Sequence, residues 1–153
     1  PFNGTNSNQD CKSTGSPLWT AKALRKMRYP NVFILNAGFS DSSKFNRIAL
    51  TYGLDEKDSF YRKAPNFIFA VDFGGARKGD SYKMRLIGPG NKILAKSEKI
   101  ITAIVQFKFD FVGRKGLGRT WPKGRYTGKF ELYRTEGGNR RKILETARDI
   151  WVR

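Results

Sequence analysis

From about residue 32 onward, apolar and polar residues alternate along the chain with a period of two. Clusters of Gly, Pro, Asn and Asp interrupt this alternation every 10 to 15 residues. A period of two places apolar side chains on one face of an extended strand, and such clusters mark the turns between strands. This part of the chain therefore predicts a series of short antiparallel strands, each with one buried face.

The strongest strand candidates are rich in phenylalanine. In NFIFAVDF the alternation places Phe67, Phe69, Val71 and Phe73 on one face. In ITAIVQFKFDFV the residues Phe107, Phe109 and Phe111 alternate with Lys108 and Asp110, so we expect the phenylalanines to face the core. The other candidates are NVFILNAGF at 31–39, FNRIALTYGL at 45–54, SYKMRLI at 81–87, KILAKS at 92–97, YTGKFELYR at 126–134 and RKILETARDIWV at 141–152.

Six to eight short strands with almost no helix predict an all-β fold, and we expect an antiparallel two-sheet sandwich. A five-stranded OB-type barrel is the nearest alternative, because such barrels are also basic and rich in aromatic residues. The number of strands favours the sandwich. We assign residues 32–153 to this domain. Residues 1–31 form an N-terminal tail, with a short helix between Pro17 and Pro30 or an extended arm.

The segment Trp121-Pro122-Lys123-Gly124-Arg125-Tyr126 precedes alternating residues and a Gly-Gly turn. It resembles the W-x-x-G-x-Y start of the penultimate strand in immunoglobulin-like modules of bacterial secreted and envelope proteins. The resemblance implies an immunoglobulin-like sandwich in a periplasmic or secreted binding module. It also implies that the hydroxyl of Tyr126 turns back onto nearby backbone, as in a tyrosine corner. The paired cysteines of antibody-type domains are missing here.

The chain carries 30 Lys and Arg against 13 Asp and Glu, a net charge of +17, and such an excess favours polyanionic partners. Six of these cations lie in GRKGLGRTWPKGRYTGK at 113–129, which contains no acid. Its glycines would let the backbone approach an anion closely. The candidate ligand-binding residues are Arg114, Lys115, Arg119, Trp121, Lys123 and Arg125. The alternative is that this run is only the solvated turn of a hairpin in a basic protein.

Trp121 and the phenylalanine-rich strands each allow two interpretations. A tryptophan at the start of a strand most often closes one end of the core, whereas an exposed one beside cations could stack on a base or a sugar ring. The phenylalanine-rich strands could form an aromatic platform for RNA, but the sequence has no matching RNA-binding motif. We therefore assign the phenylalanines to the core.

No catalytic or metal-binding constellation is evident, and we expect no cofactor. The chain has no histidine, the commonest general base and metal ligand, and its one cysteine, Cys11, has no partner for an internal disulfide. Asp55, Glu56 and Asp58 lack the pattern of a calcium loop and are expected to form a solvated turn. No apolar run is long enough to span a membrane.

Two functions remain. The first is a non-enzymatic, extracytoplasmic binding or adaptor module that recognises an anionic envelope component, a glycan or a protein through basic loops. The second is a nucleic-acid-binding protein that makes sequence-independent phosphate contacts. An enzyme comes third, because its site would have to work without histidine.

Overall fold

The computed structural model describes Thr20, Lys22 and residues 32–54, 56–103, 106–118 and 120–153. Within these residues the chain forms eight strands and one short α-helix. The strands are β1 (Phe33–Ser40), β2 (Ser59–Phe60), β3 (Asn66–Gly74), β4 (Ser81–Gly88), β5 (Lys92–Ile100), β6 (Phe107–Lys115), β7 (Gly124–Glu136) and β8 (Asn139–Val152). The helix is α1 (Arg47–Thr51), and a 3₁₀ turn (Pro89–Asn91) joins β4 to β5. Of the predicted tail only Thr20 and Lys22 are described, and Lys22 is helical; the rest of the tail and of its predicted helix lies outside the described residues.

The strands form two sheets, as the alternation predicts. Sheet A has three strands in the order β1-β3-β6, and sheet B has five in the order β2-β8-β7-β4-β5. The pairs are antiparallel except for the two-residue strand β2, which runs parallel to β8. The fold is therefore a mostly antiparallel, all-β arrangement of two sheets.

The core lies between the inner faces of the two sheets. On sheet A it is built from the predicted face of β3, where Phe67, Phe69 and Phe73 are fully buried. On sheet B it is built from alternate residues of β4 and β7, among them Tyr82 and Phe130. Phe73 packs at 4.7 Å from Phe130, measured between ring centroids. The alternation in these three strands predicts their inner faces correctly, because each strand buries one continuous apolar row.

The segment FNRIALTYGL, expected to be a strand, contains α1 instead. Asn46 caps the helix, since its side-chain oxygen accepts a hydrogen bond from the amide of Ala49 at 3.0 Å. The helix buries Ala49 and Leu50 against Ala70, on the outer face of sheet A. Arg47 anchors it with two hydrogen bonds to the buried carboxylate of Asp72, at 2.6 and 3.0 Å. A helix of five residues is too short to show a helical period in the sequence.

The predicted register of β6 is wrong by one residue. Asp110 and Val112 face the core, whereas Phe107 and Phe111 face outward and are 47% and 52% exposed. The buried carboxylate of Asp110 is satisfied from sheet B, where the Tyr82 hydroxyl donates a hydrogen bond at 2.6 Å and the Lys99 ammonium at 2.8 Å. Because these partners offset the desolvation of its carboxylate, the aspartate can lie on the core face of the strand, which the pattern assigned to the phenylalanines.

Tyr126 forms the backbone contact that the resemblance implies. Its hydroxyl donates a hydrogen bond to the carbonyl oxygen of Pro122 at 2.9 Å, and its buried ring stacks on Phe67 of the opposite sheet at 4.6 Å. Burial raises the pKa of this hydroxyl, which keeps it protonated as a donor. The immunoglobulin-like type of the sandwich stays a prediction.

Candidate functional site

The basic run lies at one end of the sandwich, where β6 ends and β7 begins. Strand pairing brings four other strand ends to the same place, because Asn66 pairs with Lys115, Gly88 with Lys92, and Gly124 with Val152. We call this end, formed by residues 61–65, 88–92, 114–118 and 120–123 together with Arg153, the loop end. It joins segments that are far apart in the sequence.

Hydrogen bonds hold the turn at 61–65 against the basic run. The amide of Gly116 donates to the carbonyl of Pro65 at 2.8 Å, and the amide of Trp121 donates to the carbonyl of Arg62 at 2.7 Å. The Trp121 indole N–H donates to the carbonyl of Ala64, also at 2.8 Å. Both ends of the β6–β7 loop are therefore fixed to the body of the sandwich, which gives the cations on it a defined position.

Trp121 belongs to the core. It is 7% exposed and packs edge-on against Phe67, with ring centroids 5.5 Å apart. The structure therefore places it as the first interpretation predicts, closing one end of the core. A ring buried to this extent is not the exposed stacking platform of the alternative interpretation, but Trp121 still lines the cavity at this end of the sandwich.

Two glycines of the basic run allow neighbouring backbone segments to pack closely against it. A Cβ atom added at Gly113 would lie 2.7 Å from the carbonyl oxygen of Phe67, and one at Gly116 would lie 2.8 Å from that of Ala64. Neither distance leaves room for a side chain. At these two positions the close approach predicted for an anion is made to the protein's own backbone.

A cavity of about 220 Å³ opens at the loop end between the 88–92 turn and the β6–β7 loop. Its apolar wall includes Pro89, Leu94 and Trp121. Its cationic residues are Lys92, Arg114 and Lys115, all exposed. The cavity thus joins an apolar surface to a cluster of positive charges. Such a site can hold a compact group that carries both an apolar face and an acidic substituent.

The predicted cluster of cations is only partly gathered here. Arg114 and Lys115 line the cavity, and Lys123 is exposed on the loop beside it. Arg125 lies apart, on the outer face of sheet B, where its guanidinium is 3.8 Å from the carboxylate of Asp149. Arg119 lies outside the described residues. The set predicted from the run therefore divides between two surfaces.

Sequence analysis missed the cations that other segments bring to the loop end. Lys92 comes from the 88–92 turn, Arg62 and Lys63 from the 61–65 turn, and Arg153 follows β8, where its amide donates to the Phe60 carbonyl at 3.1 Å. Only the strand topology joins these positions to the basic run. The cations at this end that form no ion pair with a described residue are Arg62, Lys63, Lys92, Arg114, Lys115, Lys123 and Arg153.

Uncompensated cations in one place create a positive potential that attracts anions. Apart from Glu56 and Asp58, the described carboxylates form ion pairs with cations away from the loop end. Asp72, Asp80 and Asp110 are buried in ion pairs, and Glu98 and Glu131 pair with cations on sheet B. Lys57 pairs with Asp41 at 3.7 Å. Part of the excess charge of the described residues is therefore exposed at the loop end, while other cations without an ion pair to a described residue, such as Lys44, Lys78 and Lys96, lie elsewhere.

The part of the chain that the structure describes contains no group of three or more Cys, Asp or Glu residues arranged to hold a metal ion. Among the same residues, no helix is both long and apolar enough to cross a bilayer. Asp55 lies outside the described residues, and its neighbours Glu56 and Asp58 are exposed.

Comparison with known proteins supports the fold. No model of a known protein family matches the sequence, and no curated protein matches it either. Among solved structures, the chain is similar to the crystal structure of the C-terminal domain of Wzt, with a TM-score of 0.51. The match covers 82% of this chain and 75% of that domain, at 8% sequence identity. At this identity the similarity concerns the arrangement of the strands.

Proposed function

We propose that this chain is a non-enzymatic binding module that recognises an anionic partner through the loop end. The observation that carries the proposal is the cavity, where an apolar wall meets Lys92, Arg114 and Lys115, none of which forms an ion pair with a described residue. A rigid sheet with loops at one end is a common platform for recognition. The cations act by electrostatic attraction and by charge-assisted hydrogen bonds, which need no titratable catalytic group.

The partner that fits this geometry best is an acidic glycan, such as a component of the cell envelope. A sugar ring has an apolar face for the cavity wall, and its carboxylate or sulfate group suits the cations. An acidic protein segment would match the charges but offers no comparable ring. We place the module outside the cytoplasm, as its resemblance to immunoglobulin-like envelope modules implies. Cell fractionation that recovers the protein only from the cytoplasm would contradict that location.

Nucleic acid is the second candidate, favoured by the size of the charge excess. Sequence-independent binding requires only phosphate neutralisation, and a protein that neutralises about six phosphates loses on the order of a thousandfold in affinity between 50 and 200 mM salt. The apolar wall of the cavity argues for the glycan, because a duplex backbone would not enter a cavity of about 220 Å³. The two candidates differ in salt dependence and in the molecules that copurify with the protein.

The test is direct binding to defined polyanions. Isothermal titration would compare acidic polysaccharides with DNA, using the wild-type chain and the double variant Arg114→Gln/Lys115→Gln. We expect the variant to lose at least tenfold in affinity for the acidic polysaccharide that binds best, since two charged contacts are removed. The matched control is Lys44→Gln/Lys78→Gln, which removes two exposed lysines that form no ion pair with a described residue. Equal losses in both variants would refute the site.

A further inference from the structure

A row of three cations crosses the outer face of sheet B. The register places Arg85 of β4 directly opposite Lys96 of β5 on one side and Lys129 of β7 on the other. Like charges directly opposite one another destabilise a sheet. A position that breaks a local rule without an evident structural gain is a candidate for function.

One carboxylate compensates part of this charge. Glu131 has an 8% exposed side chain and forms ion pairs with Arg85, with Lys129 at 3.5 Å and with Lys142 at 3.8 Å. Burial acts to raise the pKa of Glu131, but the charges of Arg85, Lys129 and Lys142 outweigh it, so the pKa is lowered and the group stays ionised. Lys142 is also paired with Glu145, so within the row Glu131 compensates Arg85 and Lys129 and leaves Lys96 without a carboxylate.

Two nitrogen atoms of the row have no partner among the described residues. Lys96 forms no ion pair there, and the Nε atom of Arg85 is buried without a hydrogen-bond acceptor. A buried donor without an acceptor destabilises the fold. An acidic group bound against the row would satisfy the charge of Lys96 and offset the repulsion between the three cations.

The surface beside the row is concave. A cleft of about 470 Å³ is lined by Lys83, Arg85, Lys96, Glu98, Glu131 and Tyr133. Its carboxylates lie between cations, with Glu98 at 3.3 Å from the ammonium of Lys83. The carboxylates can accept hydrogen bonds from sugar hydroxyls, and the cations can bind an acidic substituent. The cleft therefore offers an acidic sugar partners for both kinds of group.

The row and the loop end share strand β5. Lys92 lies at the cavity and Lys96 lies in the row, four residues further along the strand. The register shifts between Ile93 and Ala95, so at about 3.3 Å per residue this separation is at most about 13 Å. A linear polymer bound at the loop end could reach the row without a change in the fold.

We propose that the outer face of sheet B is a second anionic subsite, in which Lys96 and Arg85 hold a further acidic sugar of the polymer bound at the loop end, with Lys129 next to Arg85 in the row. The proposal rests on the proposed function and extends it, because it makes the ligand a linear acidic polysaccharide with several charged residues. Binding two subsites at once raises the affinity for long chains without changing the affinity for short ones.

The test is the variant Lys96→Glu with a length series of one acidic polysaccharide, size-fractionated polygalacturonate, measured by isothermal titration. We expect its affinity for long oligomers to fall about tenfold, while its affinity for galacturonic acid and the shortest oligomer stays within about twofold of wild type. The control is Lys44→Glu, which makes the same change of charge at an exposed lysine on the sheet A side. Folding is not the obstacle, because a glutamate opposite Arg85 replaces a repulsive pair with an attractive one.

The outcomes separate this proposal from the one on which it rests. If Arg114→Gln/Lys115→Gln loses binding but Lys96→Glu behaves like Lys44→Glu, the second subsite is wrong and the loop end stands. If Lys96→Glu weakens the binding of short and long oligomers equally, the effect is a general change of the electrostatic potential, and the proposal of a second subsite is again wrong. If wild type binds no oligomer of any length but does bind DNA, both assignments to an acidic polysaccharide are refuted.

Discussion

Two buried aspartates, Asp80 and Asp110, hold the sandwich together through different partners. Asp80 makes two hydrogen bonds with the guanidinium of Arg134, at 2.7 and 2.9 Å, and also accepts one from the amide of Arg77. Asp110 joins sheet A to the Tyr82 hydroxyl and the Lys99 ammonium of sheet B. Because each carboxylate is fully bonded, removing a partner leaves an unsatisfied group in the core.

Stability in acid should depend on Asp80. Burial alone would raise the pKa of its carboxyl, but hydrogen bonds from Arg134 and the Arg77 amide, together with the charges of both guanidinium groups, lower the pKa instead. A lowered folded-state pKa contributes stability that is present above the unfolded value of about 3.9 and is lost as the pH falls through the folded value. We expect Asp80→Asn to lower the free energy of unfolding by about 3 kcal/mol at neutral pH. Below about pH 4 the free energy of unfolding of the variant should fall less steeply with pH than that of wild type, as measured by urea unfolding. A variant whose free energy of unfolding falls with acid as steeply as that of wild type would contradict this role. The control is Asp149→Asn, which changes a half-exposed carboxylate.

Asp110 and Tyr82 should differ in the cost of their removal. Asp110→Ala leaves the fully buried Tyr82 hydroxyl without its acceptor and should lower the free energy of unfolding by about 2 to 3 kcal/mol. Tyr82→Phe should cost only about 1 kcal/mol, since Asp110 keeps Lys99 and the amide of Phe111. Chemical denaturation of both variants measures the difference. A larger cost for Tyr82→Phe would mean that Asp110 is not the centre of this contact.

At the scale of the elements, the sequence pattern correctly predicts the buried face of strands with a continuous apolar row. It fails where a partner on a distant strand determines which face is buried. Strands β3, β4 and β7 follow their alternation because their inner faces carry continuous rows of buried apolar side chains, and the one charged residue in the β7 row, Arg134, is paired with Asp80 at its end. In β6 the three phenylalanines suggest the opposite register, and only Tyr82 and Lys99, on other strands, explain why Asp110 is buried. In α1 the signal was local but small, a single capping residue, Asn46.

The register of β6 can be tested with matched phenylalanines. Phe111 faces solvent and is 52% exposed, whereas Phe69, on the neighbouring strand, is fully buried between the sheets. We expect Phe111→Ala to lower the free energy of unfolding by less than about 1 kcal/mol. Phe69→Ala should cost about 3 to 5 kcal/mol, because it leaves a cavity in the core. Similar costs for the two variants, measured by urea unfolding, would show that Phe111 is buried.

At the scale of the molecule, the loop end could be predicted only in part. Arg114, Lys115 and Lys123 were recognisable as a cluster because they follow one another in the chain. Lys92 and Arg62 lie in other turns, and no pattern in the sequence shows that the 88–92 and 61–65 turns meet the basic run. The strand order alone brings them together, and the same alternation sends Arg125 to the outer face of sheet B.

The charge excess makes a prediction for the whole molecule, because a net charge of +17 repels itself in the folded state. Raising the salt concentration screens this repulsion and should raise the melting temperature of the free protein. Arg114→Gln/Lys115→Gln removes part of this repulsion and should also raise the melting temperature.

A bound acidic polysaccharide at about 100 times its Kd adds about 2.7 kcal/mol to the free energy of unfolding, which raises the melting temperature by about 5 to 10 °C for a chain of this size. The double variant should lose most of that ligand-induced rise although it starts from a higher value. If the double variant raises the melting temperature of the free protein but reduces the rise that the ligand produces, the two cations form a binding site and do not merely add charge to the surface. If the variant without ligand melts at a lower temperature than wild type, the two cations stabilise the fold instead.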